Sequence, residues 1–157
     1  MDMNKQKKFL ICGFGNCAQR HFRNLKKILP DCNIDVVCST KTNHRIFDNE
    51  LGVSYSDNLK EVYNINEIYH DLDEVLLNKY DAAFICSLLP EKINIAIDLV
   101  EEGFNLFIEK PLSNNLDKVY KLREIVENKK LKCSMGFQMR FHSEIQKIKE
   151  MVEKGKF

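Results

Sequence analysis

The sequence has few residues that interrupt regular structure, and no excess of charge of either sign. It contains three prolines and six glycines in 157 residues, with no repeat or low-complexity segment. Its 24 Lys and Arg residues almost balance its 23 Asp and Glu residues, so no positive field attracts nucleic acid or anionic lipid. No apolar run approaches the roughly 18 residues of a membrane span, and the first run, from Phe9 to Cys12, is too short for a signal peptide. We expect a cytoplasmic protein that binds neither nucleic acid nor membranes.

The six cysteines form no C-x-x-C pair, and the four histidines are isolated in the sequence. With 44% apolar residues, a chain of this length can bury a core without disulfides or metal. Four cysteines lie in or beside apolar runs, where a thiol acts as a small hydrophobe: Cys12, Cys38, Cys86 and Cys133. We therefore predict reduced, buried thiols, and the missing ligand spacing predicts no metal site.

Short apolar runs alternate with amphipathic stretches along the chain. The runs predict five strands, at Lys8–Cys12, 34–39, 82–87, 105–108 and 131–135. Helical spacing of apolar residues predicts helices at 17–29, 91–102 and 116–129. Strands that are apolar on both faces and are separated by helices predict an α/β fold with a doubly wound parallel sheet, the Rossmann fold. Ligands bind such sheets at the carboxyl ends of the strands.

Two other segments have weaker or unpartnered patterns. Between the second and third predicted strands, the pattern indicates a helix near 45–51, a strand fragment at 67–69 and a short helix at 72–78. An amphipathic helix is predicted at 143–154, and its apolar stripe needs either a partner absent from this chain or a second copy of it.

A G-x-G-x-x-A pattern follows the first predicted strand and opens the first helix, in the residues Gly13-Phe14-Gly15-Asn16-Cys17-Ala18. In this context Gly13 permits a tight turn, Gly15 leaves room for a pyrophosphate and Ala18 lets the helix pack closely on the sheet. The phosphates would meet free N–H groups at the helix start. The alternative is a glycine-containing turn that only joins a strand to a helix.

The end of the second predicted strand carries no carboxylate to bind a ribose 2′-hydroxyl. Ser39, Thr40 and Lys41 stand there, with Arg45 slightly later. Hydroxyls and a cation suit a 2′-phosphate, so we predict NADP, with NAD as the alternative. Lys41 and Arg45 could instead be ordinary solvated charges.

The tripeptide Glu109-Lys110-Pro111 follows the fourth of the five predicted strands. An ammonium at the carboxyl edge of the sheet can hold a ribose hydroxyl or polarise a substrate oxygen, so Lys110 is the candidate catalytic residue. Taken alone, an exposed Glu-Lys pair is usually inert.

Together these patterns resemble the Gfo/Idh/MocA family, which includes glucose–fructose oxidoreductase and inositol dehydrogenases. The resemblance covers almost the whole chain, and its most specific element is the E-K-P tripeptide. The other segments that carry it are the Gly13 to Ala18 loop and residues 69–74, 81–87, 103, 112 and 136–141. It implies that Lys110 lies beside the nicotinamide and a sugar-like or nucleotide-sugar substrate, with Glu109 positioning it and both contacting the cofactor.

The sequence departs from this family in one loop, in the helix that follows it and in the domain that normally comes next. Ser87 and Leu88 replace the usual Thr-Pro of one loop, and Lys92 stands near the position of a family histidine. Ser87 and Leu88 are still predicted to contact the cofactor, whereas Lys92 could equally be a solvated residue. The family also continues into a substrate domain with an Asp and His acid/base pair, and we expect that domain to be absent here.

The resemblance implies a dinucleotide-binding domain at 1–140 and a connecting helix at 141–157. The predicted function is NAD(P)-dependent hydride transfer to or from a sugar-like alcohol or carbonyl. The alternatives are a non-catalytic dinucleotide or nucleotide-sugar binding module and, less favoured, a methyltransferase-like domain that binds S-adenosylmethionine.

Overall fold

A computed structural model describes residues 6–48, 50, 52–88 and 91–156. Leu89, Pro90 and Phe157 thus lie outside the described residues, as do residues 49 and 51 of the helix predicted near 45–51. In chain order the elements are β1 (Lys8–Cys12), α1 (Asn16–Ile28), β2 (Asn33–Val37), β3 (His44–Phe47), β4 (Val53–Ser56), α2 (Leu59–Tyr63), β5 (Ile68–Tyr69), β6 (Ala82–Ile85), α3 (Lys92–Glu101), β7 (Leu106–Ile108), α4 (Leu116–Asn128), β8 (Cys133–Met135), a 3-10 helix (Gln138–Phe141) and α5 (Ser143–Glu153).

Six of the strands form one parallel sheet in the order β5-β2-β1-β6-β7-β8. β1 lies at its centre, with Phe9 opposite Ile34 of β2 and Ala82 of β6. Since all five pairings are parallel, the carboxyl ends of the strands meet at a single edge. The predicted doubly wound α/β fold is confirmed, with all five predicted strands present and the fragment at 67–69 adding a sixth.

The sheet is apolar on both faces, and each face buries its own cluster. Leu10 and Cys12 of β1 pack with α3 and α4, whereas Phe9 and Ile11 pack with the α1 residues Ala18 and Phe22. This alternation follows from the two-residue period of a strand. It explains why β1 is a continuous apolar run, because helices cover both of its sides.

One buried carboxylate joins neighbouring elements. Asp35 of β2 is fully buried and accepts hydrogen bonds from Tyr80 Oη at 2.7 Å and Asn66 Nδ2 at 2.6 Å. It also pairs with Lys8 Nζ of β1 at 2.9 Å. Burial, followed by the bond to Asp35, raises the pKa of Tyr80. A buried charge is tolerated only when it is satisfied in this way.

The segment between β2 and β6 differs from the prediction. Residues 45–47, the start of the helix predicted near 45–51, instead belong to β3, which pairs antiparallel with β4. The turn between them is held by Asp48, whose Oδ1 accepts from the N–H groups of Glu50 and Gly52. Ile46 and Phe47 of β3 and Val53 and Tyr55 of β4 are of the β-branched and aromatic types that favour strands. The helix predicted at 72–78 is a series of turns, and α2 was not predicted.

The exposure of the cysteines and of the last helix can be compared with the predictions. Cys12 is buried as predicted, but Cys133 is exposed on the edge strand β8, and Cys38 and Cys86 are only partly buried. The predicted final helix is present as α5, and its apolar residues Ile145, Ile148 and Val152 are exposed. Among the residues described, no helix has the length and apolar character needed to cross a bilayer.

Candidate functional site

The carboxyl edge of the sheet carries two adjoining cavities. One, of about 590 Å³, lies beside the ends of β1 and β2, and the other, of about 800 Å³, lies beside the ends of β6 and β7. Both are lined by Asn16, Cys86, Ser87 and Leu88. Because these residues are shared, the two cavities form one elongated cleft, which we call the edge cleft.

The loop after β1 makes the floor of the edge cleft, and its two glycines have different roles. Gly13 has φ +80°, and a Cβ there would lie 2.9 Å from the backbone N and Cα of Ser87, so this position requires glycine. A Cβ at Gly15, by contrast, would meet nothing within 4 Å. Gly15 caps α1 without a side-chain hydrogen bond, which leaves the first N–H groups of the helix without intrahelical partners.

Ser87 supplies an unsatisfied donor at the centre of the edge cleft. Its Oγ is buried and has no hydrogen-bond partner among the described residues. Buried hydroxyls in native proteins are normally satisfied. The open space at Gly15, the uncapped helix start and this hydroxyl together fit a ligand with phosphate and hydroxyl groups.

A glutamine fixes the hairpin beside the end of β2. The fully buried Gln19 of α1 donates to the carbonyls of Phe14 at 3.0 Å and Arg45 at 2.7 Å, and its Oε1 accepts from Phe47 N at 2.8 Å. Tyr63 Oη donates a second hydrogen bond to Gln19 Oε1, at 2.7 Å. The amide is thus fully used, and it ties β3 to the helix that opens at the glycine loop.

The hairpin contributes a cation to the edge cleft. Ser39, Thr40 and Arg45 line the smaller cavity, whereas Lys41 is exposed and is not among its lining residues. The Arg45 guanidinium lies 5.2 Å from the centre of the Phe47 ring. Of the two cations named from the sequence, Arg45 is therefore the one placed at this end of the cleft.

The opposite end of the edge cleft, at the larger cavity, has three side chains close together: Cys17, His21 and Glu109. Cys17 and His21 lie one turn apart on α1, and His21 Nε2 is 2.7 Å from Glu109 Oε1. Hydrogen bonds from Cys86 and then His21 lower the pKa of Cys17 to about 5. The bond to Cys17 is the largest cause of a raised pKa at His21, against the effect of burial. Burial acts to raise the pKa of Glu109, but hydrogen bonds from His21 and Cys17 outweigh it and lower the pKa.

Lys92 is buried, so its interpretation as a solvated residue was wrong. Its Nζ donates to the carbonyl of Glu109 at 2.9 Å and to that of Pro111 at 3.2 Å. Burial lowers its pKa. The ammonium fixes the backbone on either side of Lys110, which is itself exposed and lines the larger cavity.

The side chain of Glu109 is directed to His21, a contact that the sequence did not predict. Gly136, after β8, packs against it so closely that a Cβ would lie 3.1 Å from the carboxylate. His142, by contrast, is exposed on the last segment and pairs with Glu144 at 2.7 Å. Cys17 and His21 could have been paired from their four-residue spacing, but Glu109 is 88 positions from His21 and joins them only in the fold.

Comparison with known proteins identifies this architecture. A family model described as "Oxidoreductase family, NAD-binding Rossmann fold", the Gfo/Idh/MocA model, matches residues 7–137. The match includes the glycine loop, Ser87 and the Glu109-Lys110-Pro111 tripeptide, so the motifs that line the edge cleft all lie within it.

Individual relatives extend over nearly all of this chain. The uncharacterized oxidoreductase YrbE of Bacillus subtilis is 28% identical over 98% of this chain and 42% of its own length. Myo-inositol 2-dehydrogenase of Thermotoga maritima is 28% identical over 92% of this chain and 40% of its own length. The chain therefore spans about two fifths of the length of these relatives.

A solved structure shows the same fold. Scyllo-inositol dehydrogenase from Lactobacillus casei, crystallised with bound NAD(H) and scyllo-inositol, superposes with a TM-score of 0.77 at 22% identity. The superposition covers 97% of this chain and 42% of that protein.

The contacts of Cys17 predict an unusual pH dependence for its alkylation. Because its pKa is lowered to about 5, the thiolate forms as the pH rises through about 5 and is complete at neutral pH. The alkylation rate with iodoacetamide should therefore be half-maximal near pH 5 and level by pH 7. Although the residue as a whole is exposed, partial desolvation of its sulfur raises the pKa of Cys133, so its rate should still be rising at alkaline pH.

Peptide mass spectrometry after timed quenching measures both cysteines in one sample, and circular dichroism checks the fold at each pH. His21→Gln should move the half-maximal pH of Cys17 upward. Parallel pH profiles for Cys17 and Cys133 would show that the described contacts do not stabilise a thiolate.

Proposed function

The chain belongs to the Gfo/Idh/MocA family of oxidoreductases with an NAD-binding Rossmann fold, and from this premise we propose that it binds a nicotinamide dinucleotide along the edge cleft for hydride transfer to or from a polyol. In this proposal residues 1–140 are the dinucleotide-binding domain and 141–157 are a connecting helix. The bound nicotinamide supplies the hydride donor or acceptor. The residues of this chain bind it, orient it and hold the substrate oxygen.

The proposed pyrophosphate site is the start of α1. Gly15 leaves open space above the helix, and the N–H groups of Asn16, Cys17 and Ala18 belong to the uncapped first turn. The positive end of a helix dipole and free N–H donors bind phosphate. This uncapped, open helix start is the observation that carries the proposal, and the unsatisfied hydroxyl of Ser87 supports it.

The proposed adenosine site is formed by Gly13, Phe14 and the segment after β2. Ser39 and Thr40 supply hydroxyls there and Arg45 a guanidinium, all lining the smaller cavity. Arginine binds phosphate through paired hydrogen bonds. We therefore infer NADP as the preferred cofactor and NAD as the alternative. Lys41, being outside the cavity lining, acts at most as a longer-range charge.

The proposed site for the nicotinamide is the larger cavity. Cys17, Ser87, Leu88, Glu109 and Lys110 line it. Lys92 fixes the backbone that carries Lys110, which supports Lys110 as the residue whose ammonium holds the substrate oxygen. An ammonium next to a secondary alcohol stabilises the negative charge that develops on its oxygen as the hydroxyl proton is released to solvent, and this charge makes loss of the hydride easier. The inositol dehydrogenases among the relatives and neighbours favour a cyclic polyol as substrate class.

A pair of glycine variants tests the pyrophosphate site. Gly15→Val should fold normally, since its backbone is at φ −75° and no atom lies within 4 Å of an added Cβ. It should nevertheless weaken binding of NADPH and NADH by at least about tenfold, because the side chain fills the phosphate space and removes charge-assisted hydrogen bonds. Isothermal titration calorimetry measures affinity, and thermal unfolding measures stability.

Gly13→Ala is the matched comparison. It should lower the melting temperature, because φ is +80° and the methyl would lie 2.9 Å from the Ser87 backbone. Wild-type dinucleotide affinity in a folded Gly15→Val protein would contradict the pyrophosphate assignment.

Two cation variants test the NADP preference. Arg45→Ala should weaken NADPH binding by about 10- to 100-fold, as expected for the loss of a hydrogen-bonded charge pair, while changing NADH affinity little. Lys41→Ala should have a smaller effect on NADPH. The measurement is fluorescence titration of both reduced cofactors with both variants, and equal losses of NADPH and NADH for Arg45→Ala would remove the basis for a 2′-phosphate site.

A lysine variant tests the catalytic assignment. In a protein that turns over a polyol, Lys110→Ala should lower kcat by about 100- to 1,000-fold, the usual cost of removing one group that stabilises a developing negative charge on oxygen. Its melting temperature should stay near wild type and its dinucleotide affinity should fall by much less than its kcat, whereas Lys147→Ala, a change on α5, should leave kcat near wild type. NAD(P)H absorbance with inositols and nucleotide sugars is the assay. Dinucleotide binding without turnover across that panel would support the non-catalytic binding module instead.

A further inference from the structure

The Cys17, His21 and Glu109 side chains form a compact group of three different ligand types. One ligand atom from each, the Cys17 Sγ, a His21 ring nitrogen and a Glu109 carboxylate oxygen, lies within 4.8 Å of the other two. Among the described residues this is the one group of three His, Cys, Asp or Glu side chains so arranged. All three are partly or largely buried, with side-chain exposures of 16% for His21 and 11% for Glu109.

The fold brings these ligands together from two rigid elements. Cys17 and His21 are four residues apart on α1 and therefore share one face of the helix. Glu109 follows β7 directly, and its backbone is held by Lys92 while its carboxylate packs against Gly136. Ligands supplied by a helix and a strand end keep their positions better than ligands on loops.

We propose that Cys17, His21 and Glu109 bind a zinc-class divalent cation at the floor of the edge cleft, with a fourth coordination position open to the cleft. Three protein ligands with one open position are typical of zinc sites that accept water or a substrate. Thiolate and imidazole ligands select zinc over magnesium and calcium, which take oxygen ligands.

The geometry needs only small adjustments to hold the ion. With zinc bonds of about 2.3 Å to sulfur and 2.0–2.2 Å to nitrogen and oxygen, tetrahedral ligand atoms lie about 3.4–3.6 Å apart. The His21 to Glu109 distance of 2.7 Å would lengthen as the ion replaces the shared proton. The Cys17 sulfur lies within 4.8 Å of both other ligand atoms, so no change of the backbone is needed to bring it to the ion.

The charges around the group also suit a dication. A thiolate, a carboxylate and a neutral imidazole carry two negative charges, which the ion neutralises. The Arg20 guanidinium lies 3.7 Å from the Cys17 sulfur, and being exposed it can turn to solvent when the ion takes that sulfur. Because Cys17 and Glu109 line the larger cavity, the ion can enter from the cleft without unfolding α1.

Cobalt and zinc titrations of the metal-free protein test the site. Co²⁺ should produce a near-ultraviolet thiolate-to-metal band together with the intense visible absorption of a tetrahedral site, saturating at one ion per chain. Zn²⁺ should displace it, and a competing chromophoric chelator gives the zinc affinity. Zn²⁺ should also protect Cys17, but not Cys133, from iodoacetamide.

Matched variants identify the ligands. Cys17→Ser and His21→Gln should each weaken zinc binding by at least about tenfold, since losing even an outer-shell partner of a metal ligand costs 10- to 100-fold. Cys133→Ser and His142→Gln change an exposed thiol and the histidine of the exposed His142–Glu144 pair, and they should bind zinc as wild type does.

Two results would overturn the proposal: absence of the thiolate band with wild-type protein, or equal losses of zinc affinity in the ligand and control variants. The alkylation test uses wild-type protein, so a variant that fails to fold does not decide the outcome. Dinucleotide affinity is measured separately on metal-free protein, so failure of the metal site and failure of the dinucleotide site are distinguishable.

Discussion

The close approach of the loop after β1 to the end of β6 determines the shape of the edge cleft. At Gly13 the two backbones leave no room for a Cβ, which would lie 2.9 Å from Ser87. This approach joins the two cavities at the residues that they share and turns the chain into α1 with an open, uncapped first turn. The rest of the site is arranged around that point: the hairpin cation on one side, and the Cys17, His21 and Glu109 group with Lys110 on the other.

Two buried polar side chains keep these flanking parts in place. Gln19 uses its whole amide to attach the hairpin to α1, and Lys92 binds the carbonyls on either side of Lys110. Each is satisfied by several partners, as buried polar groups must be. The hairpin and the Lys110 segment that line the cleft are therefore held in place by two buried side chains, on α1 and α3, the helices that cover the two faces of the sheet.

Local patterns predicted much of this arrangement, and long-range contacts account for what they did not predict. The apolar run of β1, the glycine loop and the E-K-P tripeptide each carry their signal in a few adjacent residues. β1 lies at the centre of the sheet, and the loop and the tripeptide lie at its carboxyl edge, as predicted. The β3 and β4 hairpin was missed because each of its strands has four residues, which is too few to show a period clearly. The burial of Lys92 and the convergence of Glu109 on His21, 88 positions away, depend on which strands become neighbours, and spacing along one sequence does not contain that information.

The central claim is that the first N–H groups of α1 bind the pyrophosphate of a nicotinamide dinucleotide. Amide proton and nitrogen NMR shifts, followed while NADPH or NADH is added, test it most directly. The account predicts saturable shifts concentrated at Gly15, Asn16, Cys17 and Ala18, with the amide of Leu122 in α4 unchanged. Spectra that stay unchanged at millimolar cofactor, or shifts that avoid the start of α1, would contradict it.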